Sequence, residues 1–240
     1  MFYFLLPTLM TYNVILIWAA VIPAIFLMVK VYNSDRLESE SSAILWQLVK
    51  AGIFSSLIAL VSERVLSALL NMYVAADSYL YPVILYFGIV AFSEEGAKYF
   101  MLKRNSWSSY EFDCQYDGVV YAVFVSLGFA LWENISYVMS YGFSTAIVRA
   151  LTAIPGHTCF GVFMGVFYGI AKKYDNRGNQ FASKVMRVMC VILPALLHGA
   201  YDYIASTEGG TWNFVIFIAI LFVVSYVLVT KASRNDKYIA

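Results

Sequence analysis

Charge is scarce in this chain. Asp, Glu, Lys and Arg make up 13% of its 240 residues, whereas 61% are hydrophobic. That deficit excludes a soluble domain of this size, which has too little interior to hide so much apolar surface. The 16 basic and 15 acidic residues leave a net charge of +1 with no charged tail, so no nucleic-acid partner is implied. Cysteine is equally sparse. Cys114, Cys159 and Cys190 are odd in number and unclustered, which argues against a disulfide framework or a thiolate metal centre. No low-complexity stretch occurs, and no basic stretch precedes the first apolar run, which is therefore read as a retained span rather than a cleaved signal.

What is present is a succession of long apolar runs. With about 20 residues needed to cross a bilayer, seven spans are expected near Phe4–Val29, Ala43–Leu70, Tyr79–Leu102, Val119–Tyr141, Ala146–Ala171, Val185–Tyr203 and Trp212–Thr230. A barrel would need short alternating strands, so the expected fold is an all-α polytopic bundle, one integral membrane domain over residues 1–240. Twelve of the sixteen basic residues fall in the loops after spans one, three and five, counting Arg187 at the start of span six, and after span seven. The loops after spans two, four and six contain none. The positive-inside rule then predicts an outer N-terminus and a cytoplasmic C-terminus.

The chain is organised around Glu94-Glu95-x-x-Lys98, two adjacent carboxylates inside the third apolar run. A charge near the bilayer centre costs about 2.5–3.5 kcal/mol on insertion scales, so idle acids there are selected against. Lys98 stands four residues after Glu94 and three after Glu95, within helical reach of either, which would leave the other free for chemistry. A structural ion pair is the plainer reading, but other polar residues accumulate at span depth. Glu133 and Asn134 lie in span four, Arg149 and Pro155-Gly156-His157 in span five, and His198-x-x-x-Asp202 in span six. His198 and Asp202 share a helix face, so the acid can orient the imidazole. Arg149 and Asp202 both fall near the outer surface and are expected to pair with each other. Pro155 and Pro194 cannot donate to the carbonyls of Leu151 and Cys190, and irregular backbone of that kind is tolerated where it lines a polar cavity. Gly161, Gly165 and Gly169 follow His157 at helical period and are read as a packing face.

Both histidines and three glutamates therefore converge on the spans. An active site, an ion path or a metal centre explains this better than separate structural accidents. As a hydrolase, Glu94 or Glu95 would be the general base, with His157 and His198 polarising a carbonyl and Glu133 and Asp202 positioning them. The same residues (Glu94, Glu95, Glu133, His157 and His198) are candidate ligands for Zn²⁺ with an open water position, although no HExxH spacing demands it. The competing reading is a proton- or cation-coupled transporter or channel using the same acids and histidines.

Taken in order, Glu94-Glu95-x-x-Lys98, Phe129-x-x-x-Glu133, His157 and His198-x-x-x-Asp202 resemble the motifs of the PrsW family of membrane-embedded proteases. The resemblance covers residues 79–203. It implies a bacterial cytoplasmic-membrane enzyme, the site-1 protease of a stress response, which clips a single-span anti-sigma factor on the outer side. It carries Glu94, Glu95, Glu133, His157 and His198 as catalytic candidates, with Lys98, Phe129, Asn134, Arg149 and Asp202 in support. The CAAX-processing membrane endopeptidases are a more distant likeness. That likeness favours the first glutamate as base, but Lys98, Glu133 and Asp202 depart from its pattern and speak against a prenyl-peptide substrate.

Overall fold

The computed structural model describes residues 2–239, with side chains from Thr11 onward, so the side chains of positions 4–10 in the first expected span and Ala240 lie outside it. The described chain is helical throughout. Its elements are α1 (Phe2–Tyr32), α2 (Ser42–Tyr73), α3 (Leu80–Val83), a π-helical segment (Ile84–Ala91), α4 (Phe92–Ser106), α5 (Asp117–Tyr141), α6 (Phe143–Leu151), α7 (Ala153–Asn176), α8 (Gln180–Ser206) and α9 (Thr211–Arg234). Six stretches are long and apolar enough to cross a membrane, with α6 and α7 together forming one of them. The remaining expected span is the continuous run α3–π–α4, the one that carries Glu94, Glu95 and Lys98.

Local chemistry sets the helix ends. Ser41 caps α2, its hydroxyl accepting the Ile44 N–H, and Asn179 caps α8 by accepting the Ala182 N–H. The chain leaves α5 at Gly142 with φ of 85°, a left-handed value that suits glycine. Span five, expected as one helix over Ala146–Ala171, is broken at Thr152 (φ −124°, ψ −69°). The reason is Pro155: it sits in the first turn of α7, where its missing N–H costs nothing, rather than in a helix interior.

The bundle is built around α5, which packs against α7, α2 and α1. Every α5 residue from Asp117 to Ala130 is buried. Close approach to α7 depends on the expected glycine face, since a Cβ at Gly165 would fall on the Val119 backbone and one at Gly169 on the Gln115 carbonyl. Outer faces of α1, α2 and α9 show large apolar side chains such as Phe26, Trp46, Val61 and Val223, as a lipid-facing surface must.

One end of the bundle is tied across the chain. Ser233 donates to the Ser34 carbonyl, the Gln115 N–H to the Lys237 carbonyl at 3.1 Å, and Lys172 to the Trp107 carbonyl at 2.9 Å. The loops after spans one, three and five thus share an end with the tail after span seven. This is the grouping that the basic residues mark.

Candidate active site

The π-helical segment immediately precedes Phe92 and changes the register of the following turns. It is held close to α8, where a Cβ on Gly199 would meet the Phe87 ring and backbone. α4 then turns Glu94, Glu95 and Lys98 inward, all three buried. Lys98 is completely buried and does not choose between the acids. Its Nζ lies 3.1 Å from Glu94 Oε2 and 2.8 Å from Glu95 Oε1. The sequence expectation that one carboxylate stays free of the lysine is thus corrected, because positions three and four back flank the same ammonium.

Lys98 also reaches His157 Nδ1 at 3.1 Å and lies 4.0 Å from the centre of the Phe129 ring. An ammonium only donates, so Nδ1 accepts and the proton of His157 sits on Nε2, which contacts Glu133 Oε2 at 2.8 Å. The same Glu133 oxygen accepts from Arg149 Nη2 at 2.9 Å, while Arg149 Nε donates to Asn134 Oδ1 at 2.8 Å. Asn134 in turn donates to the Ala20 carbonyl, fixing α1 to the site. The expected Arg149–Asp202 pair does not form. The break at Thr152 puts Arg149 on α6, which packs on α5, so Glu133 and Asn134 take it.

His198 joins the acid pair from α8. Its Nδ1 is 2.9 Å from Glu95 Oε1 and 3.8 Å from Glu94 Oε2, while Nε2 lies 3.5 Å from Asp202. The expected i, i+4 pairing of His198 with Asp202 is therefore present, though long. Phe160 stacks on the His198 ring at 4.7 Å.

These groups surround a cavity of about 300 Å³ lined by Glu63, Glu94, Glu133, Arg149, His157, His198 and Asp202, with Tyr86, Phe160 and Tyr201 among its apolar walls. All the sequence-derived candidates meet at or beside it. Glu94 lines it, whereas Glu95 lies behind, its side chain 0% exposed against 8% for Glu94. Glu63 is the residue that sequence reasoning missed. The signal was its place within the apolar run of α2.

Five carboxyl groups (Glu63, Glu94, Glu95, Glu133 and Asp202) thus share the site with two permanent cations, Lys98 and Arg149. Protons or a metal must offset the rest. Ligand atoms of Glu94, Glu95 and His198 lie within 4.8 Å of one another, and Glu95 Oε2 is buried without a hydrogen-bond partner. Two oxygens and one imidazole nitrogen suit Zn²⁺ with a position left for water, so these residues fit such an ion. Lys98 shares both carboxylates with that position.

Buried acids and imidazoles around a polar cavity, inside an apolar helical bundle, fit a membrane-embedded hydrolase. Residues 40–229 match the family described as PrsW family intramembrane metalloprotease. The chain is 30% identical over 220 residues to Protease PrsW of Oceanobacillus iheyensis, an alignment covering 90% of this chain and 95% of that protein. It is 31% identical over 222 residues to Protease PrsW of Clostridioides difficile, covering 91% and 87%. With Protease PrsW of Bacillus subtilis the identity is 40% over 119 residues, covering 48% and 51%. No solved structure matches it. The chain belongs to the PrsW family and is a multi-pass membrane protease.

Proposed function

We propose that this protease cuts a single-span partner of the anti-sigma-factor kind in its outer juxtamembrane region, from within a bacterial cytoplasmic membrane, with Glu94 as the general base. The observation that carries this is the asymmetry of the acid pair: Glu94 faces the cavity, and Glu95 is sealed behind it between Lys98 and His198. A base must reach the water it deprotonates.

The other residues divide the remaining work. Glu95 accepts from Lys98 and faces His198, so it sets the position of both. Lys98 offsets the two carboxylates and holds Glu94 where it can take a proton from water and return it to the leaving amine. His198 Nε2 has only a 3.5 Å contact to Asp202, which leaves it the imidazole nitrogen available to donate to the oxyanion. His157 has both ring nitrogens engaged, by Lys98 and Glu133, and serves as a positioning residue. Arg149 holds Glu133 in the same way, and Asn134 holds Arg149. Were Glu94, Glu95 and His198 to hold a Zn²⁺, the ion would supply Lewis acidity and a more acidic water at this position, and Glu94 would then serve as a ligand in place of the base.

Depth decides where the substrate is cut. Glu133 lies 16 residues beyond Asp117 along α5, or about 24 Å from the tied, basic end at 1.5 Å per residue. Glu63, Arg149 and Asp202 line the same cavity towards the end that lacks basic loops. By the positive-inside rule that end is the outer one. The experiment is co-reconstitution with a single-span anti-sigma factor and mass-spectrometric mapping of the new terminus. A cut just outside the membrane is expected, and one in the cytoplasmic portion would contradict the depth argument.

A further inference from the structure

The opposite end of the bundle gathers acids that proteolysis does not use. Asp35 and Glu40 come from the loop between α1 and α2, Asp113 from the loop before α5, Asp117 from the first turn of α5 and Asp236 from the tail. Ligand oxygens of Asp35, Glu40 and Asp117 lie within 4.8 Å of one another. Glu40 is 6% exposed and Asp117 0%, while Asp35, Asp113 and Asp236 are half-buried.

Hydrogen bonding satisfies only part of the cluster. The Tyr121 hydroxyl donates to Glu40 Oε2 at 2.6 Å. Backbone N–H groups of Asp113 and Cys114 donate to Asp117 Oδ2 at 3.1 and 2.7 Å, and that of Tyr116 to Asp236 Oδ1 at 2.8 Å. The second oxygens (Asp35 Oδ2, Glu40 Oε1, Asp113 Oδ1, Asp117 Oδ1 and Asp236 Oδ2) are buried and accept from no N–H or hydroxyl donor, and Glu40 and Asp117 are close enough to share a proton when no cation is bound. Among the described residues these are five of the eight buried side-chain atoms left unpartnered, so the deficit is concentrated at one place. No ion pair among the described residues joins any of these acids to a Lys, Arg or His.

We propose that Asp35, Glu40 and Asp117 bind a hard divalent cation, Ca²⁺ or Mg²⁺, at a structural site separate from the protease cavity. A set of carboxylate oxygens with no imidazole suits these ions and not Zn²⁺. The ligands come from one loop and a helix start, and Asp236 brings the tail beside them. Bound there, the ion fastens the α1–α2 loop to the start of α5 at the end where the Gln115 N–H meets the Lys237 carbonyl and the Ile239 N–H meets the Asp113 carbonyl.

The test uses purified full-length protein in detergent, stripped with chelator and titrated with Tb³⁺, whose emission Tyr121 and Tyr116 would sensitise. The site predicts tyrosine-sensitised emission that Ca²⁺ or Mg²⁺ displaces. Emission is lost in Glu40→Gln/Asp117→Asn and kept in Glu95→Gln. Ca²⁺ or Mg²⁺ at a hundredfold excess over its Kd should raise the Tm of the wild type by about 5–10 °C and leave the double variant unmoved. That variant removes buried charge, so its chelated Tm should equal or exceed the chelated wild type's, which separates lost binding from lost folding. Should the double variant fail to fold, Asp35→Asn serves instead and should weaken binding at least tenfold. The proposal is overturned if neither cation shifts the wild-type Tm. It is equally overturned if emission survives in the acid variants or disappears in Glu95→Gln.

Discussion

Replacing Lys98 with Met tests the central knot of the site. The lysine side chain is wholly buried and contacts Glu94, Glu95 and His157 within 3.1 Å. Methionine has similar length but no charge, so Lys98→Met leaves two buried carboxylates facing each other without their cation. Removing one partner of a buried ion pair costs about 3–5 kcal/mol, because the remaining charge is stranded in a low-dielectric interior. The lost contact with the Phe129 ring adds to this. For a protein of this size each kcal/mol moves the midpoint by about 2–4 °C, so a fall in Tm of about 6–20 °C is expected. Thermal unfolding in detergent followed by intrinsic fluorescence reads it. Adding Glu95→Gln to Lys98→Met should recover part of the loss, since one stranded charge is then neutral. A Tm for Lys98→Met within about 2 °C of wild type would refute the reasoning, as no pair worth that little is bridging two buried acids.

A double-mutant cycle between Arg149→Leu and Glu133→Gln should show a stability coupling of about 0.5–3 kcal/mol, whereas Arg149→Leu and Asp202→Asn should add independently; the reverse pattern would restore the Arg149–Asp202 pair. Single cysteines in place of Asp77 and Glu208 should react with a membrane-impermeant maleimide in intact cells, and one in place of Ser109 should not; labelling of the last would invert the topology and the side of substrate entry.

Much of this was legible in the sequence, for physical reasons that differ between elements. Spans could be placed because a bilayer demands about 20 apolar residues at a stretch. That Lys98 would reach into the acid pair and that His198 would pair with Asp202 followed from helical spacing, since three- and four-residue separations fix a shared face, but not that Lys98 would hold both acids at once. Partners across helices were harder. Arg149 lay beyond reach of spacing arguments because the Thr152 break put it on a helix of its own, and Pro155 marked that break without giving the new direction. Glu63 went unread because burial in a membrane bundle depends on which face of α2 meets α4, and a helix apolar on most sides does not declare that face. Asp35 and Glu40 share a loop, but Asp117 is far from them in the chain, and all three lie outside or at the end of the apolar runs, where charge is unremarked until the fold brings it together.

The most direct test of the account is the single-turnover cleavage rate of Glu94→Gln on a reconstituted single-span substrate, beside the wild type and with the variant's Tm measured in parallel. The exchange keeps size and removes the base, so the rate should fall by about 10²–10⁴-fold while the Tm is held or raised. Cleavage by Glu94→Gln at the wild-type rate would show that the cavity-facing glutamate is not the base.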